Sequence, residues 1–517
     1  MWLRAAGLVG QSLALGGAAF ALVVLPRART AAALAPGHHL AVRLAGAGAL
    51  VVAVAELGLL ACLAGAFADA SGWPAGALLG TTVGAVGLAR ATLAILAAVA
   101  AGVLCRAPAA RAAAAALAGT AVLLPVTSAL VSHATSRPGG AAWLVAVGAL
   151  HQAAVGTWVG GLVCAVMLGA RAVPEAGAWL RAFSRLATGA VVVLAATGIA
   201  LAVAYVPTPA AAIGTSYGVM VLTKAALFGA LLVMGGLNHR AVRTASPSPA
   251  GALLLRRRLE VEAGLALVTI LLAASIGSAP PAADAGARQV SADQIRAMLV
   301  PRWPRLHSPT LDELAAGAAL NDPLSPRAAE DIAWSEFGHN VAGLFIIAIG
   351  ALVILEQSRR ARWARHWPLL FIGLTVFVAY NMDPEGWQTG IVGFWSHLLD
   401  PEVLQHKILL CLTALFGLGE WRLRNGGRPG APWAYVLPVV SIASGIVLIS
   451  HTHLVSDAHS AFFMELSHLA MGLISLVVGW ARWLELRLPA PESRIPGRVW
   501  GPALAMFGVL LVLYRES

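Results

Sequence analysis

Charged residues are scarce in this chain: they make up 11% of its 517 residues, whereas hydrophobic residues make up 59%. No soluble globular class has such a composition. Cysteine is also scarce, and the four cysteines form no C-x-x-C pair, which argues against a disulfide framework and a zinc knuckle. The sequence contains no G-x-x-x-x-G-K-[ST] loop, no D-K-T-G motif and no C-P-C motif. We therefore expect neither an enzyme nor a pump that hydrolyses ATP by itself.

What the chain has instead is long apolar runs. A helix needs roughly 20 apolar residues to cross a bilayer, and about fourteen runs approach or exceed that length. The sequence therefore predicts an all-α, polytopic bundle of about 14 transmembrane helices in contact with membrane lipid. The runs cover approximately 6–25, 40–66, 76–104, 112–132, 142–170, 184–206, 216–238, 259–277, 339–356, 367–382, 404–423, 433–450, 460–482 and 499–514.

The net charge of +11 reflects membrane topology and does not indicate nucleic-acid binding. Most arginines fall in every second loop between the apolar runs, which is the positive-inside pattern. The pattern predicts a multi-pass protein of the bacterial cytoplasmic membrane. Both termini and the segment 279–337 are expected to lie outside the cytoplasm.

Four regions are predicted along the chain. The motifs GTTVGAVGLARA from Gly80 and GTSYGVMVLTKA from Gly214 match in order, which indicates a tandem repeat of two four-helix units. These units are assigned to 1–137 and 138–280. A Pro-rich extracytoplasmic segment follows over 281–337, with a short amphipathic helix expected at Ala292 to Leu299. A six-helix, His-rich membrane domain covers 338–517.

The repeat places two basic residues, Arg90 and Lys224, midway through their predicted helices. A charge at that depth must face a partner or a wet cavity. Glu56 lies at a similar depth on the preceding helix, so we expect it to form a structural ion pair with Arg90. Lys224 has no obvious partner in the sequence.

Histidines are concentrated on the predicted outer side. An intramembrane histidine near the outer end of its helix is a candidate functional group by default. Together with one methionine on the same helical face as His468, seven histidines form the candidate metal-ligand set: His133, His151, His339, His406, His451, His453, Met464 and His468.

Imidazole and thioether ligands suit copper better than calcium or magnesium, and thioether favours Cu(I). The alternative for any one histidine is a structural hydrogen bond. We prefer that alternative, or simple solvation, for His307 and His459. Trp158 and the G-x-x-x-G formed by Gly156 and Gly160 are expected to serve close helix packing.

Several ordered motifs resemble the copper-resistance protein D (CopD) family. They are HQAAVGTWVGGL, FSRLATGAVVVLAATG, TSYGVMVLTK, LNHR and LRRRLEVEAGLALV, and they cover about 140–281 well. The region after 338 resembles the C-terminal membrane region of longer members. The resemblance implies copper handling at the inner membrane and draws attention to His151 and His133. The chain carries no attached soluble copper-binding domain, so a separate extracytoplasmic copper-binding partner is expected.

Three functions remain open from the sequence. The first is copper transport inward from the outer side. The second is electron transfer by a bound haem b, since histidines at matched depths in helical bundles can ligate haem. The third is copper delivery to, or assembly of, a membrane oxidase, which needs the outer histidines but no path to the cytoplasm.

Overall fold

The computed structural model describes most of the chain. The described residues are 2–27, 35–72, 74–136, 141–170, 176–244, 249–277, 279–286, 289–318, 328–358, 361–381, 401–427, 431–450 and 458–516, with the single residues 388, 393, 395 and 398. All regular structure in these residues is helical, and each predicted apolar run coincides largely with a helix, although the helix at the run 367–382, Leu369–Asn381, has only 13 residues. Twelve of these helices are long and apolar enough to cross a membrane. The predicted all-α polytopic fold is therefore confirmed.

The chain folds into two compact units, and the first comprises residues 1–213 and 217–286. Apart from residues 214–216, both predicted four-helix segments, 1–137 and 138–280, fall within this unit 1. Its long helices are α1 (Trp2–Arg27), α2 (Ala35–Ser71), α3 (Thr82–Arg106), α4 (Arg111–Leu130), α5 (Ala141–Val155, a π-helical turn Gly156–Gly160, then Gly161–Ala170), α6 (Ala176–Tyr205), α7 (Ser216–Thr244) and α8 (Pro249–Ile276).

Helix α1 lies at the centre of unit 1, since its side chains are more buried than those of the other spans. Small residues allow its neighbours to approach closely. A Cβ on Gly160 would stand 1.8 Å from the Ser12 carbonyl oxygen, and one on Gly16 would stand 2.2 Å from the Gly160 backbone. Any larger residue at either position would push the two helices apart. The predicted packing role of the G-x-x-x-G is thus confirmed, with α1 as its partner.

The predicted ion pair between Glu56 and Arg90 is present. The Arg90 Nε lies 3.2 Å from Glu56 Oε2, and both side chains are largely buried. Arg90 Nη1 also donates to the Leu124 carbonyl oxygen over 2.8 Å. The pair therefore ties α2 to α3, and the second bond extends the connection to α4.

Replacing Glu56 with alanine is expected to lower the yield of folded protein, because it leaves the buried guanidinium of Arg90 without its counter-charge. A second substitution, Arg90→Leu, should restore much of that yield by removing the stranded charge. Size-exclusion chromatography of the detergent-solubilised protein measures both effects. A double variant that folds no better than Glu56→Ala would contradict the pairing.

The second unit comprises residues 214–216 and 287–517. Two short helices precede its membrane helices. The first, α9 (Ala292–Leu299), begins with a capping box in which Ser291 and Gln294 bond each other's backbone N–H, and it confirms the predicted amphipathic helix. The remaining helices are α10 (Leu311–Ala318), α11 (Ala329–Gln357), α12 (Leu369–Asn381), α13 (Pro401–Arg424), α14 (Val436–Ser450), α15 (Ala458–Arg487) and α16 (Arg494–Val512).

A buried network of five charged side chains joins three helices of unit 2, α11, α13 and α15. Glu420, which is 1% exposed, contacts Arg482 at 3.1 Å and Arg424 at 3.3 Å. Each arginine has a second carboxylate, Glu485 for Arg482 at 2.6 Å and Glu356 for Arg424 at 2.5 Å. We call these five residues the ion network.

Two tryptophans close the ends of the ion network. The indole N–H of Trp367 donates to Glu356 and that of Trp500 donates to Glu485, each over 2.8 Å. The Arg424 and Arg482 guanidinium groups also lie over the Trp367 and Trp500 rings, respectively. Such contacts compensate part of the cost of removing charges from water.

Candidate functional site

His151 lies inside unit 1, ten residues after the start of α5. At 1.5 Å per residue that is about 15 Å from the helix end that is predicted to lie outside. The residues that follow, Gly156–Gly160, form the π-helical turn that packs against α1. Close packing of this turn therefore fixes the height at which α5 presents the imidazole.

Thr197 of α6 determines the tautomer of the His151 ring. The His151 Nδ1 lies 3.0 Å from Thr197 Oγ1. The threonine hydroxyl donates its own proton to the Val193 carbonyl oxygen over 2.7 Å. The threonine oxygen must therefore accept, and Nδ1 must carry the imidazole proton. The lone pair of the neutral ring is consequently on Nε2.

The Nε2 atom of His151 is buried and forms no hydrogen bond with the described residues. Burying an imidazole nitrogen that has a lone pair and no hydrogen-bond donor costs free energy. Such an atom is unusual, because buried polar atoms are normally paired. It is also the arrangement of a metal-binding histidine, whose other ring nitrogen donates to an oriented acceptor. The Nε2 atom of His151 is therefore available as a metal ligand in unit 1.

Lys224 of α7 lies near enough to act electrostatically on the His151 ring. It has no carboxylate partner in the described part of the chain. A positive charge at this position opposes the binding of a metal cation at Nε2. The sequence indicated that Lys224 needs a partner or a wet cavity, and the structure places its charge within electrostatic range of His151.

Trp158 lies two turns beyond His151 on α5 and points into the packed interior. Its side chain is 4% exposed, and its ring packs edge-on against Phe228 with 6.2 Å between centroids. Its indole also lies near the Glu262 carboxylate of α8 and interacts with it electrostatically. Trp158 thus connects the helix that carries His151 to a second polar group, which the sequence analysis did not single out.

His133, the other histidine singled out in unit 1, lies in a short 3-10 helix, His133–Ser136, after α4. This turn packs against α5 and precedes the start of that helix, Ala141, by a few residues in the chain. His133 therefore comes just before the predicted outer end of α5, and His151 lies ten residues further into that helix.

In unit 2 the structure brings His339 and His468 to the same residue, Tyr514. The His339 ring stacks on Tyr514 with centroids 4.0 Å apart, and the His468 ring stands perpendicular to it at 6.1 Å. Each histidine Nδ1 bonds the carbonyl oxygen four residues earlier, Ser335 at 2.8 Å and Met464 at 2.6 Å. Both rings are thereby held with Nδ1 as the donor. Tyr514 was not a candidate in the sequence analysis.

The other predicted ligands of unit 2 are less completely described. His451 and His453 lie outside the described residues, and the His406 side chain does as well. The Met464 side chain is buried in α15, on the same face as His468. In the part of the chain that is described, no three His, Cys, Asp or Glu side chains are grouped as a metal site. The multi-ligand cluster around the SHTH stretch therefore stays a prediction.

Comparison with known families agrees with the motifs. Residues 177–276 match the family described as Copper resistance protein D. The matched segment contains Thr197, Lys224 and Glu262, and it begins after His151. The predicted family is thereby confirmed. No curated protein and no solved structure gives a significant match to the chain.

Proposed function

We propose that this chain, whose residues 177–276 match the copper-resistance protein D family, carries copper across the cytoplasmic membrane from the outer side, with His151 as a ligand on the path. The supporting observation is the His151 Nε2 atom, which is buried, holds the lone pair of a fixed tautomer and has no hydrogen bond from the described residues. A neutral imidazole nitrogen is a good ligand for copper.

The positive charge of Lys224 favours a transport role for the His151 site over a storage role. Its charge weakens the hold of the site on a cation, and a transported ion must be bound weakly enough to leave. Because the sequence has no ATP-binding loop, the driving force is an ion gradient or a coupled protein.

His133 is proposed as an earlier contact for copper, closer to the outer surface than His151. The remaining candidate ligands would form a separate capture site in unit 2, where His339 and His468 flank Tyr514. They are His339, His406, His451, His453, Met464 and His468. An extracytoplasmic copper-binding protein would hand the metal to these residues.

Copper content of cells with and without the chain tests the proposed function. Cells that express the protein should accumulate more cytoplasmic copper than cells that lack it. An unchanged cytoplasmic content, together with copper-deficient oxidase in the deletion strain, would favour the delivery factor. A Soret band in the purified protein would favour the haem alternative.

Replacing Thr197 with valine should weaken copper handling without removing His151. Valine has nearly the shape of threonine but cannot accept the Nδ1 proton, so the ring loses the contact that fixes its tautomer. Loss of such a partner lowers metal affinity by about 10–100-fold. Competition with a Cu(I) chelator on purified protein measures the change. Thr197→Ser keeps the acceptor and should behave like the wild type; equal affinity of the valine and serine variants would refute the role of Thr197.

A further inference from the structure

A second polar pair lies in the interior of unit 1, on the two helices after α6. Asn238 Nδ2 of α7 lies 2.6 Å from Glu262 Oε2 of α8, and the residues are 4% and 3% exposed. The Trp158 indole is the third member of this group. Glu262 lies in one of the helices that are long and apolar enough to cross the membrane. An intramembrane carboxyl group is costly to maintain, and it is a functional candidate by default.

No described basic side chain neutralises Glu262. Its own helix carries three arginines, Arg256, Arg257 and Arg258. Arg256 and Arg257 pair with Glu260, and among the described residues Arg258, four residues before Glu262, forms no ion pair with it. The titratable groups on the helices packed against α8 are Arg4 and Arg27 of α1, and His151 and Cys164 of α5. Arg4 bonds the Gly277 carbonyl oxygen at the far end of α8, and Arg27 bonds the Val23 carbonyl oxygen of its own helix. On α7 they are Lys224, His239, Arg240 and Arg243, and His239 bonds Ser184 of α6.

Glu262 thus differs from the other deep acidic residue of unit 1. Glu56 faces the guanidinium of Arg90 at 3.2 Å, and this positive charge favours the ionised form of the carboxylate. Glu262 faces an amide and an indole, which are neutral. A carboxyl group surrounded by neutral partners in a low-dielectric interior can be protonated at much lower cost.

The Asn238 amide suits both protonation states of Glu262. Its N–H₂ group donates to an ionised carboxylate, as in the structure. Its Oδ1 atom is buried and has no hydrogen bond from the described residues. A half-turn of the amide would bring Oδ1 to face Glu262, where it would accept a hydrogen bond from a protonated carboxyl group. An arginine or lysine partner could not do this, because neither has an acceptor.

We propose that Glu262 is a proton-exchange site within the membrane, with Asn238 as its partner in both the ionised and the protonated state. The coupling of this site to copper rests on the proposed function. Trp158 provides the connection, because its indole interacts with Glu262 and it lies two turns from His151 on the same helix. A proton that leaves Glu262 as a cuprous ion enters would balance the charge that the ion carries.

Carbodiimide labelling tests the proton site directly and needs no substitution. Dicyclohexylcarbodiimide enters apolar regions and reacts with protonated carboxyl groups. In purified wild-type protein in mildly acidic detergent solution, peptide mass spectrometry should find Glu262 modified in at least about tenfold excess over Glu56, because the guanidinium of Arg90 favours the ionised, unreactive form of Glu56 and Glu262 has no such partner. Labelling of Glu262 should decrease as the pH is raised. An unlabelled Glu262, or equal labelling of Glu262 and Glu56, would overturn the proposal.

Copper uptake by proteoliposomes then tests the coupling. Vesicles that contain wild-type protein should lose copper-dependent proton movement after labelling, and Glu262→Gln should lose it without labelling. Labelling of Glu262 that leaves proton movement during copper uptake intact would overturn the coupling alone. Unlabelled wild-type vesicles that take up no copper would overturn the proposed function. If the carbodiimide still modifies Glu262 in the same protein, the proton site would stand.

Discussion

His151→Gln should lower copper accumulation to the level of cells that lack the protein, while the amount of protein in the membrane stays unchanged. Glutamine can donate an N–H to Thr197, so a purely structural histidine would tolerate the exchange. Its amide is a poor ligand for Cu(I), whereas imidazole is a good one. Whole-cell copper measured by mass spectrometry, in a strain that depends on this chain, detects the loss.

Two further variants separate ligand chemistry from packing. His151→Met supplies a thioether, which Cu(I) accepts, and should retain more accumulation than His151→Gln. His366→Gln is the matched control, because His366 accepts a hydrogen bond from Trp421 in unit 2 and has no assigned role in the path. Normal accumulation by His151→Gln would make His151 structural and move the site to His339 and His468.

Arg482→Met should destabilise unit 2 strongly, and more than Glu420→Gln does. The ion network holds three carboxylates, Glu356, Glu420 and Glu485, and two guanidinium groups. Without Arg482, the ion network has three carboxylates and only one guanidinium group, that of Arg424. Breaking a buried pair in this way costs about 3–5 kcal/mol.

The comparison with Glu420 follows from the same count of charges. Glu420→Gln leaves two carboxylates and two guanidinium groups, each arginine retaining its own glutamate. Its cost should therefore be clearly smaller. For Arg482→Met the apparent melting temperature in detergent should fall by roughly 10 °C. Arg296→Ala is the control, since its pair with Asp293 is exposed and should not affect melting. Equal effects of Arg482→Met and Glu420→Gln would contradict the network as described.

The elements that the sequence predicted well are those dictated by the bilayer. Helices appear at every long apolar run because a spanning segment must satisfy its backbone internally. The pair of Glu56 and Arg90 was predictable because a buried charge requires a partner, and few charges lie at that depth. The packing role of Gly156 and Gly160 followed from their spacing, although their partner α1 did not.

The remaining features depend on how helices cross, which periodicity does not encode. Thr197 is one of several hydroxyl residues in apolar helices, and only the packing of α6 on α5 brings it to His151. Tyr514 meets His339 and His468 because three distant segments converge in unit 2. Glu262 and Asn238 can be recognised in the sequence as an acid and an amide inside apolar runs. Their pairing, however, depends on the relative register of α7 and α8.

Copper flux into sealed proteoliposomes containing only this protein tests the central claim most directly. Wild-type protein and His366→Gln should admit Cu(I) at equal rates, well above those of protein-free vesicles. His151→Gln should admit it no faster than protein-free vesicles, because the buried Nε2 ligand is missing. Flux through His151→Gln that equals the wild-type flux would contradict the account, as would wild-type flux no greater than that of protein-free vesicles.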